Sequence, residues 1–306
     1  MTTLDRAFIK AFDHAHGAQR TIPMALERKA VKHDGGTDAH SHAGARPPHA
    51  FAIPVSGPSA PHTATSFAPL SSFAPPQRID ETFRPLLEVD RLAWPEICDK
   101  LLSGSRALWE TFAATLAERI SGDHKCIALT STRRGVGRTT VALTLAKLLA
   151  SRGLRPLVVD ADFDNPGLTT ACGVSAMVGW GEVIDRELPL GEALISAIED
   201  GVTLMPWQGP PRRLTDGLAA ARVGDCFRQL QDHYDLIIFD SMTVPGPKAV
   251  TEMSALVATA DACQLYFIRD VRTMAVSQVE DSCRRLQAAS LEVAGVIENF
   301  SVQDNG

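Results

Sequence analysis

From Lys125 onward, short apolar runs alternate with longer stretches in which apolar residues recur every three or four positions. The short runs read as strands at 126–131 (CIALTS), 156–161 (PLVVDA), 202–206 (VTLMP), 235–241 (DLIIFDS), 262–268 (ACQLYFI) and 293–299 (VAGVIEN). The longer stretches predict helices near 138–152, 177–186, 189–198, 222–232, 247–259 and 273–290. Strands that are apolar throughout are buried on both faces, as parallel strands are when crossover helices cover them. The pattern therefore predicts an α/β fold, a mostly parallel sheet with helices on both faces. Ligands of such sheets bind beyond the carboxyl ends of the strands.

The pattern differs upstream. At 79–121, Leu101, Leu102, Leu108, Phe112, Leu116 and Ile120 fall mostly at helical spacing, with a break at Pro95 and another around Ser103–Ser105. This segment reads as a helical connector whose apolar stripe packs on the domain that follows, residues 122–306. Residues 1–78 are rich in Ala, Pro, His, Ser and Gly and hold too little apolar surface to offset their ordering entropy. They are expected to be a disordered tail, apart from a short opening helix at 4–12. His40 and His42 lie there without the cysteine or carboxylate company of a metal site.

Charge and cysteines narrow the picture. A net charge of −6 over 306 residues gives no reason to expect nucleic acid or an anionic membrane surface as partner. The six cysteines are scattered without a CxxC pair, several of them in apolar runs, as in a reducing compartment. The opening MTTLDRAFIKAFDHAHG lacks the apolar stretch of a signal peptide, and no run is long enough to span a bilayer. A cytoplasmic protein is expected.

Candidate chemistry falls at the carboxyl ends of three predicted strands. The first is the loop 131–140, Ser131-Thr132-Arg133-Arg134-Gly135-Val136-Gly137-Arg138-Thr139-Thr140. Gly135 and Gly137 allow the backbone to wrap a phosphate, and the helix beginning near Arg138 directs free N–H groups and its positive dipole end at that anion. Arg133, Arg134, Gly135, Val136, Gly137, Arg138, Thr139 and Thr140 are thus candidate nucleotide contacts, with the Thr139 hydroxyl placed for magnesium. The second is Asp160-Ala161-Asp162, two carboxylates at i and i+2 that share one side of a strand end. Such a pair suits Mg²⁺ held through water, whereas Asp164, ahead of Asn165-Pro166, suits a turn or helix cap. The third is Asp240, closing an apolar strand, where a carboxylate orients magnesium or its water.

In that order, loop, Asp-x-Asp strand and YDLIIFD strand resemble the deviant P-loop ATPases. These include the bacterial tyrosine kinases of polysaccharide export (CpsD/CapB-like) and, more distantly, the ParA/MinD partitioning ATPases. The resemblance covers about residues 120–300 and is nearer the kinase branch, whose loop reads T-S-x-x-P-G-E-G-K-[ST]. Thr130-Ser131 match its opening, Pro166 follows the acidic pair as in the kinases, and Val178–Val183 resembles their G-L-x-x-x-L segment. Gly295-Val296-Ile297-Glu298-Asn299 is similar to the kinases' G-V-V-x-N, which implies an adenine contact for Asn299; an ordinary strand-ending turn is the plainer alternative. The resemblance implies ATP or ADP with Mg²⁺ as cofactors, held by Thr139, Asp160, Asp162 and Asp240, and Arg138, Asp160, Asp162 and Asp240 as the catalytic set. It also implies a protein partner in a membrane polysaccharide synthesis or export complex.

The departures bear on activity. Thr132 stands where the strict loop has its first glycine and Arg138 where it has lysine, while Arg133 stands at the partitioning family's signature lysine. Ser241-Met242 replace the kinases' continuation after Asp240, and no tyrosine cluster follows Asn299. No E-x-x-R-x-x-R pattern supports ring assembly, and no membrane-binding helix like that of the MinD branch is evident. Three readings stay open: an ATPase or tyrosine kinase regulating exopolysaccharide export, a non-catalytic nucleotide-dependent docking module, and a partitioning-type ATPase.

Overall fold

The computed structural model describes residues 84–120, 124–208, 214, 217–260 and 262–301, with the backbone of three short strands before them. Those strands are β1 (Arg6–Lys10), β2 (Phe12–Asp13) and β3 (Arg20–Thr21). Next come β4 (Leu87–Val89), α1 (Glu96–Gly104), α2 (Arg106–Ile120), β5 (Cys126–Ser131), α3 (Arg138–Ala150) and β6 (Pro156–Ala161). The chain continues through α4 (Leu168–Cys172), α5 (Trp180–Arg186), a 3₁₀ turn at Leu190–Ala193, β7 (Ile195–Ala197), β8 (Val202–Met205) and α6 (Gly217–His233). It ends with β9 (Leu236–Thr243), α7 (Pro247–Ala258), β10 (Gln264–Asp270), α8 (Val276–Ala288) and β11 (Val293–Ser301).

Among the described residues one sheet runs β1-β11-β10-β5-β9-β6-β8-β7-β4. The six strands from β11 to β8 are parallel, while β1 on β11 and β7 on β8 are antiparallel. The six strands predicted from apolar runs are these six parallel ones. Their side chains alternate between two cores. Cys126 and Ala128 of β5, Leu157 and Val159 of β6, and Ile237 and Phe239 of β9 enter one, walled by α5 to α8. Ile127 and Leu129, Val158, and Leu236 and Ile238 enter the other, walled by α1 to α4. Burial on both faces is the physical reason these runs carry no polar alternation.

Two predicted elements are corrected. The helix expected at 189–198 is instead the 3₁₀ turn followed by β7, which pairs Ile195 with Leu204 and Ala197 with Val202. The reversal closes at Gly201, whose φ of +65° suits glycine and whose N–H reaches the Ala197 carbonyl at 2.9 Å. The helix expected at 4–12 is instead β1, antiparallel on β11 from Arg6 against Ser301 to Lys10 against Val296. A nine-residue helix is marginal alone, whereas the open edge of β11 offers a full row of backbone partners. Apart from the short strands β2 and β3, the rest of the expected tail 1–78, including His40 and His42, lies outside the described residues.

In the connector, α1 and α2 are separated at Ser105, and β4 adds to the sheet parallel to β7. Trp109, Phe112, Leu116 and Ile120 of α2 are buried with Ile127, Leu145 and Tyr266 in the same core. The Phe112 ring meets Tyr266 edge-on at a 5.3 Å centroid distance. If α2 shares the domain's core, Phe112→Ala should lower the unfolding free energy by roughly 3–5 kcal/mol, read from urea denaturation followed by far-UV circular dichroism. A change below about 0.5 kcal/mol would mean that α2 is dispensable to the core.

Candidate functional site

The loop between β5 and α3 takes its shape from its two glycines. Gly135 has φ +76° and Gly137, the residue before α3, has φ +90°, both in the left-handed region that β-carbons disfavour. A Cβ on Gly137 would also stand 2.3 Å from Nδ2 of Asn299. That amide donates to the Val136 carbonyl at 2.8 Å, and its Oδ1 accepts the Phe300 N–H at 2.9 Å. Asn299, 4% exposed at the end of β11, is thus wedged beneath the loop, holding its backbone from below. The other wall is β9: Thr130 Oγ1 donates to the Met242 carbonyl (2.9 Å), and the Val244 N–H reaches the Ser131 carbonyl (2.7 Å). Arg133 and Arg134 are exposed on the loop's outer turn, and Arg133 reaches the Thr273 carbonyl at 3.5 Å. Thr140 faces along α3, its carbonyl accepting Thr144 Oγ1 at 2.7 Å.

Asp160 and Asp240 are register partners on β6 and β9, and both are buried. Thr139 Oγ1 donates to Asp240 Oδ2 at 2.5 Å, while Asp240 Oδ1 is buried with no hydrogen-bond partner. Burial and the neighbouring Asp162 charge push Asp240 up to about 6, against the pull of Arg138 and Thr139. Asp160 is pushed up to about 7 by burial and by the Asp240 charge, although it accepts N–H groups from Gly167 (2.9 Å), Leu168 (3.0 Å) and Asp162 (3.3 Å). Those three bonds make Asp160 the clamp of the 162–168 turn. Arg138, 8% exposed, turns inward, donating to Asp162 Oδ2 at 2.7 Å and to the Ser241 carbonyl.

An aromatic cluster supports this arrangement from the α5–α8 side. Trp180 Nε1 donates to the Asp160 carbonyl at 2.8 Å, and its ring packs edge-on against Phe163, Trp207 and Phe227. Gly181 is required there, since a Cβ would stand 2.7 Å from the Trp207 ring. The segment at 178–183 is therefore a support for the Asp160 strand end.

Arg138, Thr139, Asp160, Asp162 and Asp240 thus meet at one place beneath the loop, while Arg133, Arg134 and Thr140 lie at its periphery. Asp164 is exposed and outside the cluster. Sequence reasoning missed the Ser241 carbonyl as a partner for Arg138, since a backbone acceptor leaves no residue signature. It also missed the role of Asn299 as a pin for the loop.

Divalent-cation chemistry fits this donor set. Three carboxylates lie near one guanidinium, which pairs with Asp162, and one buried Asp240 oxygen beside the Thr139 hydroxyl lacks a partner. Among the described residues no three His, Cys, Asp or Glu side chains converge closely enough to hold a metal alone. Mg²⁺ takes one or two protein oxygens, which Thr139 and Asp240 could supply between them, and completes its shell with phosphate and water.

A glycine loop between strand and helix, with acidic strand ends beside it on a parallel sheet, defines a P-loop nucleotide-binding protein. The chain belongs to the CobQ/CobB/MinD/ParA nucleotide binding domain family, whose model matches residues 127–306. It is similar to the tyrosine-protein kinase CpsD of Streptococcus agalactiae, 24% identical over 207 residues, covering 67% of this chain and 88% of CpsD. AmsA of Erwinia amylovora is 23% identical over 184 residues, 60% of this chain but only 25% of AmsA, so the chain spans about a quarter of that relative. A cytosolic Fe-S cluster assembly factor, the NUBP2 homolog of Monosiga brevicollis, is 26% identical over 200 residues, 62% of this chain and 67% of that protein. The kinase domain of the Escherichia coli tyrosine kinase ETK shares the fold at a TM-score of 0.56 and 20% identity, covering 67% of this chain and 78% of that domain. Among the described residues no helix is long and apolar enough to cross a membrane.

The Gly137–Asn299 contact gives a direct test of the loop geometry. Gly137→Ala should destabilise by more than about 1 kcal/mol, because it adds a clash to an unfavourable φ. Combining it with Asn299→Ala should recover the clash term and leave the φ term, a coupling of roughly 0.5 kcal/mol or more in a thermal-denaturation cycle. Strict additivity would show that Asn299 does not press on the loop.

Proposed function

We propose that the chain binds ATP or ADP with Mg²⁺ and acts in a membrane polysaccharide synthesis or export assembly, with phosphoryl transfer weakened by Arg138. The Thr139–Asp240 pair and the unpartnered Asp240 Oδ1 beneath the glycine loop are the observation that carries this reading. The loop N–H groups and the start of α3 would receive the phosphates, and Thr139 and Asp240 would hold the metal, directly or through water. Bound there, Mg²⁺ would draw negative charge from the transferring phosphoryl group. On this reading Asp162, once Arg138 releases it, would orient an attacking hydroxyl, and Asp160 would keep the turn that carries Asp162 in place. The match to CpsD, over 88% of its length, favours this setting over partitioning.

Arg138 decides how much catalysis survives. Its guanidinium is committed to Asp162 and the Ser241 carbonyl, so it must leave a buried ion pair to follow the phosphate oxygens. A planar fork also binds phosphate well while tracking the moving β/γ oxygens less freely than an ammonium does. Affinity and rate should therefore separate. Calorimetry should show Mg²⁺-dependent binding of ATP and ADP, and no binding at millimolar nucleotide would overturn the cofactor assignment. Hydrolysis should be slow, and Arg138→Lys should raise it about tenfold, roughly 1.4 kcal/mol of barrier, with a smaller change in affinity. Brisk hydrolysis by the native protein, slowed by Arg138→Lys, would instead show a loop rebuilt around arginine.

A further inference from the structure

The outer side of the loop faces α8 across a cleft of about 560 Å³. Arg133 lines it from the loop, and Gln278, Arg284 and Arg285 line it from the helix, over the buried Met274. Each arginine has only a light commitment. Arg133 makes one long bond of 3.5 Å to the Thr273 carbonyl, and Arg285 donates to Ser282 Oγ at 3.1 Å. Arg284 pairs with Asp281, yet both side chains stay mostly exposed, at 72% and 61%. Three guanidinium groups against one carboxylate leave a local excess of two positive charges on a protein whose net charge is −6.

We propose that this cleft is a docking site for a short acidic peptide segment of a partner protein. Guanidinium forks match carboxylates bidentately, and three of them around one cleft can engage successive acidic side chains. The overall negative charge opposes a long polyanion such as duplex DNA, whose phosphates would extend beyond the cleft. A segment of a few acidic residues meets only the local positive field, and at physiological salt that field is screened within about 8 Å. None of Asp160, Asp162 and Asp240 lines this cleft.

The test uses the full chain and fluorescein-labelled octaglutamate, followed by fluorescence anisotropy at low salt. Saturable binding is expected below roughly 1 mM. Arg284→Gln combined with Arg285→Gln should weaken it about tenfold, since exposed arginines can be changed with little effect on folding. Gln278→Glu, which keeps the acceptor that bonds the Ala275 N–H at 3.0 Å, should weaken it as well by placing a carboxylate in the cleft. Arg106→Gln combined with Arg228→Gln removes the same charge from other exposed helix positions, at 80% and 62% side-chain exposure, and should leave binding unchanged. An unbound peptide, or equal loss in both double variants, overturns the proposal. So does a cleft that prefers a short DNA duplex over octaglutamate with the same sensitivity to Arg284 and Arg285.

Discussion

A buried cluster of like charges at the ends of adjacent strands is the constraint on which the rest of this structure depends. Asp160 and Asp240 lie side by side on β6 and β9, with Asp162 two residues beyond. Two ionised carboxylates in such a space cannot both be tolerated without compensation. The protein supplies compensation in three ways. Backbone N–H groups of the 162–168 turn converge on Asp160, the Thr139 hydroxyl meets Asp240, and the Arg138 guanidinium neutralises Asp162. What remains uncompensated, Asp240 Oδ1 and the upward shift of both carboxyls, is where a cation would act in place of a proton. Unlike the unpartnered indole N–H groups of Trp109 and Trp207 in the apolar cores, the Asp240 oxygen sits beside a hydroxyl and other carboxylates, where a cation would find further oxygen ligands.

The fold makes this cluster possible by holding it from both sides. Strand side chains alternate between two apolar cores, so the sheet is rigid where the strands are long and opens only at their carboxyl ends. At that end Asn299 props the loop from β11, and Trp180 anchors the Asp160 carbonyl from the aromatic cluster. Neither residue carries charge. Both fix backbone positions to within a hydrogen bond, as a site that works by placement requires.

The six parallel strands and the acidic strand ends were legible because burial on both faces leaves an unmistakable apolar run, and a carboxylate ending such a run stands out. The loop was legible because Gly135 and Gly137 do need positive φ. What escaped was set by tertiary pairing. Residues 195–197 are too few to show period-two alternation, and the glycine reversal after them was the available signal, outweighed by the helical spacing around Leu190 and Leu194. Arg6–Lys10 gains strand structure only from the edge of β11, which no local pattern reports. In the site, residue types revealed which groups matter but not which way they turn. The inward pairing of Arg138 with Asp162 and Ser241, and the three N–H bonds that make Asp160 a clamp, depend on contacts between distant segments.

The same contacts explain why a charge-conserving change from lysine to arginine has consequences beyond charge. A lysine in this loop would carry a compact ammonium on a flexible stem, able to turn between a carboxylate and a phosphate. Arg138 reaches Asp162 with one Nη and the Ser241 carbonyl with the other, so leaving the resting position breaks two bonds in a buried space. A nucleotide that recruits Arg138 must supply equivalent acceptors and also leave Asp162 satisfied, a demand that Mg²⁺ and its water shell can meet only when both arrive together. On the proposed reading, the loop would distinguish the metal-loaded nucleotide from the free one at the binding step. A site of that kind reports occupancy well even where it turns over slowly, which is the physical content of the proposed reading.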